Sequence, residues 1–303
     1  MKGTLYITAT PIGNMEDITA RAKRILAEAD IVAAEDTRTA KKLLGILGIK
    51  NKTVSNHKFN EKQQEDYLIA ELEKGRNVVL VSDAGTPCIA DPGAVIAGAA
   101  VQRGIAVTGV CGPSAVIAAL SVCGFCFNSF AFYGFLPRTG KEQKKTMCRA
   151  ADSGIDAAVF FESPKRIKKT MLFFAASTPD AEFCLCNDLT KMYERIYRGT
   201  AARILEELNA NLSAEKGEYT LVINLAGTSS ATAGRQPAEN IQHEPGTPGS
   251  AAPETMLVEH IFKTGDSPKD AVNALAEKHK NTISKKEFYA ASLRLRRIFG
   301  VHS

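Results

Sequence analysis

Val78-Val79-Leu80-Val81-Ser82-Asp83-Ala84-Gly85-Thr86-Pro87 runs from four large aliphatic residues straight into a polar loop carrying glycine and proline. An unbroken apolar run of this length reads as a strand buried on both faces. Shortly after it, Asp91-Pro92 predicts a helix start, with a side-chain acceptor at the N-cap and proline where no N–H is needed. Strand, loop and helix form a unit, and the unit recurs on either side. Upstream, Leu5–Ala9 and Ile31–Ala34 read as strands. Asp17 is placed to cap a helix with Ile18, Ala22, Ile25, Leu26 and Ala29 on its apolar side, and Lys41–Leu47 reads as a helix stopped by Gly48. Downstream, Ile105–Val110 reads as a strand and Ala115–Leu120 as a helix. This alternation predicts a largely parallel sheet with helices on both faces.

A second block repeats the pattern. Phe130–Tyr133, Ala157–Phe161, Phe183–Cys186 and Tyr219–Leu225 read as strands, with helices at Lys165–Phe174 and Ala201–Leu208. The division between blocks is expected between Ser121 and Ser129. From Gly227 to Glu254 the chain holds four prolines and four glycines, no aromatic residue, and Ile241 as its one large aliphatic. Such a stretch cannot bury enough apolar surface to fold alone and reads as a flexible linker. Helices are expected again at Thr255–Lys263, Lys269–His279 and Lys285–Ile298. In the third, Phe288, Ala291 and Leu295 oppose Lys285, Lys286, Arg294 and Arg297. The expected domains are therefore 1–122, 123–226, a linker at 227–254 and a basic helical segment at 255–303.

Composition narrows the function classes. The net charge of +5 is matched by the stretch Lys263–Arg297 alone, which has nine Lys/Arg against four Asp/Glu. A basic segment at one end suits a polyanion, although a solvated helix surface explains it equally well. No run of 18 apolar residues is present, so no membrane span is expected. The beginning, Met1-Lys2-Gly3-Thr4-Leu5, lacks a signal-peptide layout, and seven scattered cysteines suit a cytoplasmic location better than a disulfide framework. Cys123-x-x-Cys126 and Cys184-x-Cys186 lie in apolar runs and read as thiols, with no metal expected. A P-loop, a G-x-G-x-x-G after the first strand and a serine-hydrolase elbow are all missing.

In an open parallel sheet, ligands collect beyond the carboxyl ends of the strands. Those ends carry Thr10-Pro11-Ile12-Gly13-Asn14, Glu35-Asp36-Thr37-Arg38, Ser82-Asp83-Ala84-Gly85-Thr86-Pro87, Cys111-Gly112-Pro113-Ser114-Ala115 and Glu162-Ser163-Pro164-Lys165-Arg166. Each alone is ordinary turn chemistry; five at one kind of rim point to a site where backbone meets ligand.

These loops, followed in order by Gly134-Phe135-Leu136-Pro137-Arg138, Phe161-Glu162-Ser163-Pro164 and Lys216-Gly217-Glu218, closely resemble the ribosomal RNA small subunit methyltransferase I family of the tetrapyrrole methylase superfamily. The resemblance covers about Leu5 to Leu225 and continues more loosely through Pro268-Lys269-Asp270-Ala271-Val272. It implies two α/β domains with an S-adenosylmethionine cleft between them, plus a small C-terminal helical segment. It also implies a homodimer, no metal, and a cytidine 2′-hydroxyl in the decoding region of 16S ribosomal RNA in the 30S subunit as substrate. Cys111, Lys165 and Asp188 depart from the family's usual proline, histidine and glutamate.

On that basis Pro11, Asp83, Ala84, Gly85, Thr86, Ser114 and Ala115 are the expected cofactor contacts. Asp36, Glu35 and Glu162 are candidates for the base that takes the hydroxyl proton, with His57 beside them. Asp36 next to Arg38 reads equally as a structural ion pair. Arg38, His57, Arg138, Lys141, Lys165, Arg166, Lys285 and Lys286 are the candidate RNA contacts. Phe135 reads as a stacking surface or as core. Two other readings remain open: a methyltransferase acting on a tetrapyrrole, and a non-catalytic RNA-binding assembly factor.

Overall fold

The structure is a computed structural model that describes residues 1–226, 253–264, 266–280 and 283–299. The chain divides into two compact units, Met1–Arg235 and Gln236–Ser303.

The first unit opens with β1 (Thr4–Thr8), α1 (Ala20–Glu28), β2 (Ile31–Ala34), α2 (Thr37–Ile46) and β3 (Thr53–Ser55). It continues with α3 (Glu61–Glu73), β4 (Val78–Val81), α4 (Ala94–Gln102), β5 (Ala106–Val110) and α5 (Ala115–Val122). The five strands form one parallel sheet in the order β3-β2-β4-β1-β5. All four β4 residues are buried because successive side chains feed two cores. Val78 and Leu80 pack with Leu68, Ile69 and Leu72 of α3 and Ile96 of α4. Val79 and Val81 face the other way, toward Ile25 and Leu26 of α1 and Leu44 of α2. Each such side chain, fully buried, is worth about 1.5–3 kcal/mol.

A second sheet follows, built from β6 (Phe130–Phe135), α6 (Gly140–Asp152), β7 (Ala157–Glu162), α7 (Ile167–Ser177), β8 (Glu182–Asn187), β9 (Arg195–Thr200), α8 (Ala201–Ala210) and β10 (Tyr219–Asn224). Its order is β6-β7-β10-β8-β9, with β6 and β7 parallel and the other neighbours antiparallel. One face, through Ala158 and Phe160, packs on Ile167, Met171 and Phe174 of α7 and Ile204 and Leu208 of α8. The opposite face, through Val159, Cys184, Cys186 and Val222, packs on Val116, Ala119 and Leu120 of α5 and on Ile12 from the loop after β1. That apolar joint fixes one sheet against the other and sets the two rims side by side.

Several local expectations are corrected. Asp17 belongs to a short 3-10 turn, and the helix cap is Thr19, whose hydroxyl accepts from the Ala22 N–H at 3.1 Å. The helix after β2 begins earlier than expected, at Thr37, with Asp36 as its cap. Asp91 does not cap α4. Gly93 stands at the N-cap, and the Glu61 carboxylate receives the N–H groups of Gly93 at 2.6 Å and Val95 at 3.2 Å. Helix α7 starts at Ile167 rather than Lys165. The elements β3, α3, α6 and β9 carry no clear signal in the sequence pattern.

In the second unit, α9 (Pro253–Thr264), α10 (Pro268–Lys278) and α11 (Lys285–Phe299) pack around Leu257, Val272, Leu275, Phe288 and Ala291. Helix α9 thus takes in Pro253 and Glu254, which the linker reading assigned to the connection, and residues 227–252 lie outside the described residues. Among the described residues, no helix is long and apolar enough to cross a membrane.

Candidate active site

The loops at the carboxyl ends of β4, β1 and β5 are tied into one floor. Thr10 and Gly85 exchange two backbone hydrogen bonds, Thr10 N–H to Gly85 O at 2.9 Å and Gly85 N–H to Thr10 O at 3.0 Å. The Thr86 hydroxyl donates to the Pro113 carbonyl at 3.2 Å, which joins the β4 loop to the β5 loop. Gly85 adopts φ +81°, a conformation that favours glycine. At Gly112, a Cβ would stand 2.9 Å from the Ala9 Cβ, so only glycine lets the β5 loop lie this close to β1.

This floor opens into a cleft. Ala84, Gly85 and Thr86 form one side, and Ser114 and Ala115 at the start of α5 form another. Ile12, Ile89 and Val116 supply apolar surface, and Asp91 supplies a carboxylate. The far wall is Phe161 of β7, held edge-on by Phe132 at 4.8 Å and Phe135 at 5.7 Å between ring centroids. The cleft therefore spans the rims of both sheets. Its small residues leave backbone groups accessible, and the Ser114 side chain makes no capping hydrogen bond to α5. Backbone donors and acceptors beside apolar walls suit a ligand that is part nucleoside.

The carboxylates at the rim differ in what holds them. Asp36 accepts from the Arg38 backbone N–H at 2.8 Å and from the Arg38 guanidinium, Nη2 at 2.6 Å and Nε at 3.1 Å. Those hydrogen bonds, the guanidinium first, hold the Asp36 carboxyl at about 2. Asp83 Oδ1 accepts from the Asp36 N–H at 3.1 Å, so this side chain pins the β2 loop to the β4 loop. Glu35 is pushed above the ordinary glutamate value by burial and then by the charges of Asp91 and Asp83, with His57 opposing. Asp91 is raised by burial first and by Asp83, while a hydrogen bond from Ser82 opposes. His57 uses Nδ1 to accept from the N–H groups of Phe59 and Asn60, both at 3.2 Å, and shapes its own turn.

Glu162 is enclosed. Its Oε2 accepts from Arg166 Nη2 at 2.8 Å and from the Thr170 hydroxyl at 2.7 Å, and its Oε1 from the Ser163 N–H at 2.6 Å. Arg166 also donates to the carbonyls of Leu136 and Pro137, which ties the β7 loop to the β6 loop. Nearby, the Asn14 N–H donates to the Thr190 hydroxyl at 3.2 Å. Lys191 bridges Asp188 at 2.7 Å and Glu218 at 2.8 Å in a loop where Asp188 (φ +52°) and Thr190 (φ +67°) both adopt left-handed backbone.

Comparison with known proteins agrees with this geometry. The family model for Tetrapyrrole (Corrin/Porphyrin) Methylases matches residues 4–205. The ribosomal RNA small subunit methyltransferase I of Halalkalibacterium halodurans is 38% identical over 275 residues, 91% of this chain and 90% of that one. The protein of the same name from Bacillus subtilis is 36% identical over 289 residues, 95% and 94% of the two chains. The chain belongs to the ribosomal RNA small subunit methyltransferase I family of the tetrapyrrole methylases. Among solved structures, a diphthine synthase superposes with a TM-score of 0.56 at 16% identity, covering 73% of this chain and 89% of that one. A uroporphyrin-III-C-methyltransferase from Thermus thermophilus gives 0.50 at 21%, covering 74% and 95%. These two likenesses bear on the fold alone.

Within this methyltransferase family, the structure sorts the candidate residues. Ala84, Gly85, Thr86, Ser114 and Ala115 line the cleft; Pro11 precedes Ile12 at its edge, and Asp83 braces the floor from outside the lining. Arg138, Lys141 and Lys165 are exposed, as is Arg38 beyond its ion pair, and Phe135 is 64% exposed. Arg166 is committed to Glu162 and two carbonyls rather than offered to a phosphate. Lys285 and Lys286 are exposed at the start of α11 in the second unit. Cys123, Cys184 and Cys186 are buried together in the joint, and among the described residues no His/Cys/Asp/Glu group is placed to hold a metal. The sequence signals did not mark Ile12, Ile89, Asp91 or Phe161 as lining; Asp91 was hidden by its local resemblance to a cap.

Proposed function

We propose that the chain transfers a methyl group from S-adenosylmethionine to small-subunit ribosomal RNA, at the 2′-hydroxyl of a cytidine in the decoding region. The observation that carries this reading is the cleft: a floor of three interlocked loops facing Phe161, in a chain whose relatives are named as ribosomal RNA methyltransferases. When bound, S-adenosylmethionine supplies an already activated methyl group on a sulfonium. The protein's task is then to bind, align and exclude water. Ala84, Gly85 and Thr86 present backbone groups to the cofactor's amino-acid part, while Ile12, Val116 and Ala115 offer apolar surface to its nucleoside. Phe161 closes the side from which the acceptor ribose approaches. Exposed Arg138, Lys141 and Lys165 on the second sheet's rim, and Lys285 and Lys286 of α11, meet phosphates.

The test is tritium transfer from labelled S-adenosylmethionine to 30S subunits prepared from a strain lacking the gene, with nucleotide mapping. Label at one cytidine ribose, lost in an Asp83→Ala control, is the expected result. Transfer to a porphyrin precursor and none to 30S subunits contradicts the reading.

A further inference from the structure

Methylation of a hydroxyl requires somewhere for its proton to go. The sequence offers several carboxylates, and the structure commits most of them elsewhere. Asp36 is clamped by Arg38 and caps α2. Glu162 has its oxygens filled by Arg166, Thr170 and Ser163. Asp83 holds the Asp36 N–H. The Nδ1 of His57 is used by its own turn.

Asp91 is in a different position. The helix it precedes is capped by Glu61, so the carboxylate has no capping duty. It is partly buried and lines the cleft together with Ala84–Thr86 and Ser114–Ala115. We infer that Asp91 is the catalytic residue that accepts the proton of the acceptor hydroxyl. This rests on the methyltransferase reading above. The hydroxyl oxygen forms the new O–CH3 bond while the methyl–sulfur bond breaks, and sulfur keeps that electron pair. The hydroxyl proton passes to the Asp91 carboxylate and from there to water.

The surroundings favour this role. Burial and the neighbouring Asp83 raise the affinity of Asp91 for a proton. The Asp91 charge in turn helps to push Glu35 up, and Cys88 is pushed up to about 11 by burial and by the charges of Glu61 and Asp91. A carboxylate in such company is a stronger base than one in water.

The test uses the full chain with 30S subunits. Single-turnover rates against pH and S-adenosylmethionine affinity are measured for wild type, Asp91→Asn and Asp91→Glu, with thermal unfolding to check the fold. The expected result for Asp91→Asn is a rate lower by roughly 10²-fold or more. Its affinity should stay within about threefold and its acid-side pH dependence should flatten, with part of the rate restored in Asp91→Glu. A fully active Asp91→Asn overturns the assignment, as does a variant that loses affinity but reacts normally at saturation. A wild-type chain that transfers nothing to 30S subunits removes the RNA reading and this assignment with it.

Discussion

The two walls of the cleft are built by different means. The first-sheet wall is mostly backbone: loops held by the Thr10–Gly85 pair, and glycines placed where a Cβ would collide. The second-sheet wall is side chain: Phe161 packed by Phe132 and Phe135, above a loop pinned by the enclosed Glu162–Arg166–Thr170 network. A backbone wall gives a ligand fixed hydrogen-bonding groups and little shape to adjust. A side-chain wall can be reshaped by single substitutions. The first suits an invariant cofactor; the second suits a substrate that differs from one methylase to the next.

This contrast sets the order of expected mutational effects. The largest belongs to Glu162→Ala, which leaves Arg166 and Thr170 without their buried acceptor. Removing one partner of a buried pair costs about 3–5 kcal/mol, and the partial exposure of Arg166 trims this to roughly 2–4. Urea unfolding should show that loss, and Glu162→Gln should recover part of it. A loss under about 1 kcal/mol in Glu162→Ala would mean that the network does not hold the second wall.

Gly93→Ala comes next and probes the backbone wall. Gly93 has φ +134°, and a Cβ there would lie 2.4 Å from Leu80 Cδ2 and 2.6 Å from Cys88 Sγ. Strain and overpacking together predict a cost of about 1–3 kcal/mol, with weaker cofactor binding because the same loop lines the cleft. Unchanged stability and affinity would break the claim that glycine geometry sets this wall.

The smallest effect is electrostatic and depends on pH. The folded-state carboxyl of Asp36 is lowered from 3.8 to about 2, chiefly by Arg38. A depressed carboxyl contributes stability that is present above its unfolded value and lost as pH falls through the folded one. Arg38→Ala should therefore lower the melting temperature slightly at neutral pH, and the difference should close between about pH 4 and pH 2. A difference that persists at pH 2 would assign Arg38 some role other than the ion pair.

What was legible in the sequence follows the same division. Runs such as Val78–Val81 announce their burial on both faces, and the Gly/Pro loops after them mark the rim. The backbone wall could therefore be read residue by residue. The side-chain wall could not, because Phe161 reaches the cleft through strand pairing and aromatic packing that no local pattern encodes. Edge strand β9 hides for a related reason: Arg195 and Arg198 in it are exposed and break the apolar pattern. Asp91 shows the limit most sharply. Asp-Pro is a strong local cap signal, yet the cap on the Gly93 N–H comes from Glu61, thirty-two residues before that glycine. The sequence reading divides the chain at residues 122 and 123, but Met1–Arg235 is one compact unit, in which α5 and Ile12 pack against the second sheet.

The most direct test of the account is calorimetric titration of S-adenosylmethionine into the full chain and into Ala84→Trp, whose exposed position on the cleft floor admits a bulky side chain without disturbing the core. One site per chain is expected in the wild type, and at least ~100-fold weaker binding in the variant, a loss of ~2.7 kcal/mol, at an unchanged melting temperature. Equal affinity in the two proteins would place the cofactor elsewhere and contradict it.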